Sequence, residues 1–400
     1  MIDFGISQDL RRPATSGHQK VTMVELFFDL VFVFAITQLS HALLADVTVA
    51  NGLRIGLLLL AVWWAWIYTS WATNWLDPDK ALVRFMLFVL MLSGLVMSAA
   101  IPRAFTERGL AFALAFVVIQ VGRTAFACWA LRRHSDSHFR NFARITCWLA
   151  LSGVFWIVGG LAEGNLRLTC WLIALAIEYA APALGFWTPN LGRSTTRDWD
   201  IDPAHMAERC SLFVIIALGE SLLVTGATFE KAVWKPTTMM AFVVAVVGTI
   251  AMWWVYFNIG AEEATHRFKR AENPGSIARL AYTYLHLPIV AGIVVAAVGD
   301  ELVLAHPYGP IDTKTAATLI GGPFLFIGGT LLFKRATAGR WPLSHLVGLC
   351  LLLLTILTVP FLWPLGVAVL CAGILVLIAI WETLSLRAVK KTLTSHMGEH

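Results

Sequence analysis

Twelve stretches of about 20 mostly apolar residues, repeated from end to end, decide what this 400-residue chain can fold into. A helix needs about that length to cross the hydrocarbon core of a bilayer. With no water there to satisfy its N–H and C=O groups, such a stretch has to be helical. The runs fall at roughly 22–45, 52–75, 81–101, 108–131, 143–161, 166–187, 205–228, 236–260, 277–300, 315–334, 342–361 and 363–386. Turn-forming or charged segments separate them, such as 76–80 (LDPDK), 132–136 (RRHSD) and 189–193 (PNLGR), and the closest division is at 362–364. The chain is 58% hydrophobic and only 14% charged, against about 45–50% and 25% for soluble domains, which excludes a water-soluble globule and a disordered chain. The six cysteines lie within apolar runs and none forms a C-x-x-C pair, so neither a metal site nor a disulfide framework is expected.

The basic residues give an orientation. Of 30 Lys and Arg, 22 fall on the side that holds both termini, seven on the other, and Arg123 within a span. Positive loops stay cytoplasmic, so a multi-pass protein of the cell membrane with both termini in the cytoplasm is expected. The first run follows about 20 polar residues and is too long for a signal-peptide core, so it is expected to remain as a span. The net charge of +5 reflects these scattered loop residues; no run of five basic residues occurs, and nucleic acid is not an expected partner. Membrane lipids and a small ion or solute are. No feature specifies an oligomeric state.

Twelve spans also suggest duplication. Met23 and Glu25 open the first run as Met206 and Glu208 open the seventh; Trp63-Trp64 in the second matches Trp253-Trp254 in the eighth; Arg84 matches Arg279, and Glu178 matches Glu382. The expected fold is therefore all-α and polytopic, with two six-helix repeats of the same orientation. They occupy 22–187 and 205–386, joined by a linker at 188–204 and flanked by cytoplasmic segments 1–21 and 387–400.

Charged residues within the runs are where chemistry is expected, since each costs about 2.5–3.5 kcal/mol at mid-membrane unless paired or hydrated. Glu25 and Asp29 are four residues apart and project from one helical face. For Glu25 the plain alternative is an interfacial pair with Arg84, and for Asp29 a buried structural pair. Glu208 mirrors Glu25, with Arg279 as its counterpart cation. Glu220 follows Gly219 deep in the seventh run. Arg123 and Glu178 lie at matching depths and form an expected buried ion pair, with Gln120 a further partner; among the histidines, His286 is the candidate proton carrier. No nucleophile motif, phosphate loop, dinucleotide fingerprint or H-E-x-x-H occurs, so no catalytic residue, metal or cofactor is expected. The glycines at 321–322 and 328–329 are expected to serve close helix packing or a kink.

The stretches ELFFDLVFVFAITQLS at 25–40 and ERCSLFVIIALGES at 208–221, with the Trp-rich second run and Arg123 between them, closely resemble the bacterial low temperature requirement protein A (LtrA) family over about residues 18–390. The resemblance implies an integral membrane protein of the bacterial inner membrane, named for a growth phenotype in the cold and without an assigned reaction. Its characteristic positions carry over as Glu25, Asp29, Glu208, Gly219 and Glu220. Duplicated halves and buried acids together lead to an expected secondary transporter or ion-conducting protein coupled to protons or cations. The alternatives are a non-transporting membrane factor, sensing lipid or acting as a scaffold in low-temperature growth, and an intramembrane lipid-modifying enzyme, for which no nucleophile or metal constellation is found.

Overall fold

The computed structural model describes residues 9–12, 20–132, 136–194, 202–258 and 277–397, and among these it is all-helical. The order is α1 (Met23–Ala45), α2 (Val49–Trp75), α3 (Ala81–Ala100), α4 (Gly109–Val117), a π-helical turn (Val118–Gly122), α5 (Arg123–Leu131), α6 (Asp136–Leu161), α7 (Gly164–Ala180), α8 (Pro203–Lys231) and α9 (Pro236–Phe257). A second π-helical turn (Arg279–Tyr284) then leads into α10 (His286–Ala305), followed by α11 (Thr313–Ala338), α12 (Leu343–Thr355), a 3-10 segment (Ile356–Phe361) and α13 (Pro364–Met397). Eleven of the described helical segments are long and apolar enough to cross a membrane. The expected sixth span, 166–187, is α7. It has 17 residues and a length of about 26 Å, because Pro182 and Gly185, the latter at φ 62°, end it in a turn.

The helix boundaries follow local chemistry. Thr22 and Glu25 form a capping box, in which the Thr22 hydroxyl accepts from the Glu25 N–H and the Glu25 carboxylate accepts from the Thr22 N–H. Thr48 caps α2 and Asp312 caps α11 in the same sense, and α11 ends on Gly339 in the left-handed conformation. Pro364 opens α13 at the first helical position, where its missing N–H costs nothing. α13 then continues to Met397, so the expected tail from 387 is helical through that residue.

The described residues up to Phe213, with 277–278, form one compact unit; Val214–Asn258 and the residues from Arg279 form another. The division falls inside α8, not in the expected 188–204 linker. In the first unit the core is aromatic: Trp63, Trp64 and Trp66 of α2 are fully buried, with Trp64 stacked on Tyr179 at 3.9 Å between ring centroids and Trp63 edge-on to Phe213 at 5.6 Å. The matching tryptophans of α9, Trp253 and Trp254, are instead exposed. On α3, Phe85, Val89, Leu92 and Val96 make an exposed apolar stripe at helical spacing, the reverse of a water-facing helix.

In the second unit α10 and α11 approach at glycines seven residues apart on each helix: Gly292 faces Gly322 and Phe326, Gly299 faces Leu319, and Gly329 faces Ile289. A Cβ at Gly292 would lie 2.5 Å from the Phe326 amide nitrogen, and one at Gly322 would lie 2.5 Å from that of Ala296. Backbone, not a movable side chain, fills the space, which is the close packing small residues permit in membranes. Gly321 and Gly328, adjacent in sequence, face open space. Gly322→Ala should therefore lower thermal stability in detergent by about 1–3 kcal/mol through overpacking. Gly321→Ala should raise it by about 0.5–1 kcal/mol through helix propensity. Thermal unfolding of the two variants checks the opposite signs.

Candidate functional site

The first unit brings two of the expected residues together, on a cation near a helix start. Glu25 and Asp29, on one face of α1, converge on Arg209 in the second turn of α8, and all three are fully buried. Arg209 donates from Nη1 to Glu25 Oε1 at 3.0 Å and from Nη2 to Asp29 Oδ1 at 2.6 Å, with a further bond from Nη1 to Thr73 Oγ1 at 3.3 Å. Its guanidinium also lies over the Trp66 ring, 5.8 Å from the centroid. Trp66 turns its indole N–H onto Asp29 Oδ1 at 2.7 Å, so the Trp-rich α2 supplies a polar contact as well as bulk.

Glu25 is saturated. Besides Arg209, it accepts from Arg12 Nη2 at 3.1 Å and from the Thr22 N–H and hydroxyl at 2.9 Å each, and it meets His205 Nε2 at 3.1 Å. The His205 tautomer follows from its other partner. Asn74 Oδ1 accepts from the Asp202 N–H, so its Nδ2 is the donor toward His205 Nδ1 at 3.2 Å. Nδ1 is then an acceptor and Nε2 carries the proton donated to Glu25. With His205 neutral, two carboxylates face two guanidinium groups and the cluster has no net charge. Asp29 is less complete: its Oδ2 is buried with no hydrogen-bond partner, and the same holds for Arg209 Nε.

The other expected site residues lie elsewhere. Arg84 is half-exposed and pairs with Asp79 at 3.4 Å, so it is not the partner of Glu25; α8 supplies that cation. Glu208 accepts from the Val21 N–H at 3.3 Å, just before α1. Arg123 and Glu178 are both buried but do not bond directly. Arg123 donates to the Ala65 carbonyl and the Thr69 hydroxyl, at 3.3 and 3.2 Å. Glu178 accepts from Ser152, Trp156 and Gln120 at 2.6, 2.9 and 3.1 Å. Gln120, presented by the π-helical turn, stands between them, its backbone carbonyl 3.5 Å from Arg123 Nη2. The expected pair is thus two sets of mostly neutral partners joined through one amide.

In the second unit Gly219 faces open space, Glu220 is partly exposed, and Arg279 opens the second π-helical turn. His286 is buried between Tyr256, whose hydroxyl lies 2.8 Å from Nε2, and the Ala281 carbonyl, 2.8 Å from Nδ1. A carbonyl can only accept, so Nδ1 holds a proton toward Ala281, while Nε2 meets a tyrosine hydroxyl that can either donate or accept. Glu382, matched to Glu178 in the sequence, is held by Lys334 at 2.6 Å through both oxygens and by Ser344 at 3.4 Å. Among the described residues no group of three or more His, Cys, Asp or Glu could hold a metal ion.

Counted by position alone, Arg209, Arg167 and Lys334 all fall among the loop cations. Arg167, buried near the start of α7, donates to the carbonyls of Gly159, Ala162, Ala104 and Thr106 and ties that end of the unit together. A usable signal for the α8 site was the spacing of His205 and Arg209, four residues apart and so on one face of an apolar helix. Removing one partner of a buried ion pair strands the other at a cost of about 3–5 kcal/mol. Arg209→Met should therefore lower thermal stability in detergent by about that amount. Adding Glu25→Gln and Asp29→Asn to Arg209→Met should restore much of the loss, which a comparison of melting temperatures would show.

The sequence model for the bacterial low temperature requirement A protein matches residues 20–380, a stretch that contains the whole α1–α8 cluster apart from Arg12. The chain is also 40% identical over 381 residues to the uncharacterized protein RA0937 of Rhizobium meliloti (strain 1021), covering 95% of this chain and 93% of that one. No solved structure matches it. On the extent of these matches, the chain belongs to the bacterial low temperature requirement A (LtrA) family.

Proposed function

We propose that this LtrA-family protein is a secondary transporter or ion-conducting protein of the cell membrane, coupled to protons or cations, with the Glu25–Asp29–Arg209 cluster as its switching element. The observation that carries the reading is the asymmetry of Asp29, with Oδ1 doubly held and Oδ2 buried without a partner. A vacant carboxylate oxygen beside a bridging guanidinium is where an arriving proton or cation would weaken Arg209's hold on Asp29 and leave it to Glu25. Ionisable groups within spans mark such pathways by default. The proposal includes twelve spans, with α7 counted among them, both termini in the cytoplasm, and two halves of like orientation. The distribution of Lys and Arg supports it, as do the carboxylates Glu178 and Glu382, each contacted by a serine of the helix before its own. It assigns no catalytic step.

A second reading, a non-transporting membrane factor, is favoured by the closed partner sets of Arg123, Glu178 and the Lys334–Glu382 pair, which resemble packing devices. Purified protein in liposomes separates the two. Under transport, an imposed pH or cation gradient drives flux through the wild type, and Asp29→Asn, compared at equal amounts of folded reconstituted protein because it leaves Arg209 short of one carboxylate, reduces it at least tenfold. An absence of flux in the wild type, or flux unchanged by Asp29→Asn, would sink the transport reading; a variant that only loses stability would favour the membrane factor.

A further inference from the structure

The second unit contains a carboxylate that the cluster around Arg209 does not involve. Asp300 lies on α10, five residues and about 8 Å before its end at Ala305. It lines a cavity of about 30 Å³ walled by α9, α10, α11 and α13, with Gly248, Leu319, Pro323 and Cys371 among the other lining residues. That volume holds one or two water-sized occupants. The Asp300 side chain makes no hydrogen bond or ion pair with any described residue, and Lys314, the cation nearest to Leu319 along α11, is exposed. Glu301, next along the chain, is not part of the cavity wall.

A second oxygen belongs to a residue that lines the same space. Pro323 sits inside α11 and has no N–H, so the carbonyl four residues earlier, that of Leu319, lacks its helical donor. Leu319 and Pro323 both line the cavity. Asp300 and a residue whose carbonyl lacks its usual helical partner thus line one small void in an apolar helical bundle. An isolated carboxylate in such surroundings is costly until a positive charge joins it.

We propose that this cavity binds one small monovalent metal cation of the sodium type, ligated by the Asp300 carboxylate and the Leu319 carbonyl, with water completing its shell. Hard cations take oxygen ligands, and a divalent ion would be expected to recruit more than one carboxylate. The single acid matches a single positive charge. The Cys371 thiol is a soft donor and is not among the ligands. The site stands independently of the Arg209 cluster and does not require that cluster to switch.

The test uses the full-length protein in detergent at pH 8, with sodium chloride compared against choline chloride at equal ionic strength. Equilibrium dialysis with radioactive sodium should give one saturable site per chain, and sodium should raise the melting temperature by mass action. Asp300→Asn should abolish both effects. Pro323→Ala keeps the carboxylate but restores an N–H for the Leu319 carbonyl, and should weaken sodium binding at least tenfold while the protein stays folded; it carries the test if Asp300→Asn does not fold. Absence of saturable sodium binding to the wild type would overturn the proposal. So would undiminished binding in either folded variant, or a stabilisation that follows pH and ignores sodium, which would make the cavity a proton site.

Discussion

Desolvation of charge governs this molecule. In a bundle whose exterior is as apolar as its interior, a carboxylate persists only where the fold delivers a cation or several donors to it. Arg209 meets that demand for two acids at once, and it does so because α8 brings it to the face of α1 that carries Glu25 and Asp29. Trp66 and Thr73 of α2, His205 of α8 itself and Arg12 before α1 complete the arrangement. The Trp-rich α2 is buried along most of its length for the same reason: it is both the wall of this cluster and one of its donors.

The helical segments were legible because they rest on length and hydropathy, which local sequence states directly. The acids were legible too, since an acid within an apolar run stands out. The partners were harder. Arg209 and Lys334 lie near helix ends, where a cation normally points into water or phosphate, and nothing in one-dimensional spacing tells a cation that snorkels from one that turns inward. Arg84, at the expected depth for Glu25, illustrates the converse, since its side chain bonds to Asp79 instead. Asp300 is not legible as a buried acid because the ninth apolar run ends at that residue, whereas α10 continues through Ala305.

Glycine and proline carry different messages in the two units. Along α10 and α11 the seven-residue spacing of Gly292, Gly299, Gly322 and Gly329 makes one continuous seam in which backbone meets backbone. Such a seam gains from dispersion and weak Cα–H contacts, since apolar burial drives little association within lipid. Pro323 interrupts the hydrogen-bond ladder of α11 next to Gly322 without opening the seam. The helix therefore keeps its packing on one face while a carbonyl on its ladder lies idle.

The π-helical turn at Val118–Gly122 has a meaning beyond placing Gln120 and Arg123. Such a turn amounts to one residue more than an α-helix of the same rise requires. The widened turn takes up that residue, so α5 resumes in phase with α4, and deleting one residue here would leave an uninterrupted helix with Arg123 still facing Ala65 and Thr69. What changes is the turn itself, which presents Gln120 to Glu178. In evolutionary terms the turn behaves as an inserted residue: a sequence one residue shorter at this point would conserve the span, its hydropathy and the buried arginine's seat, and lose the amide that links it to the acid.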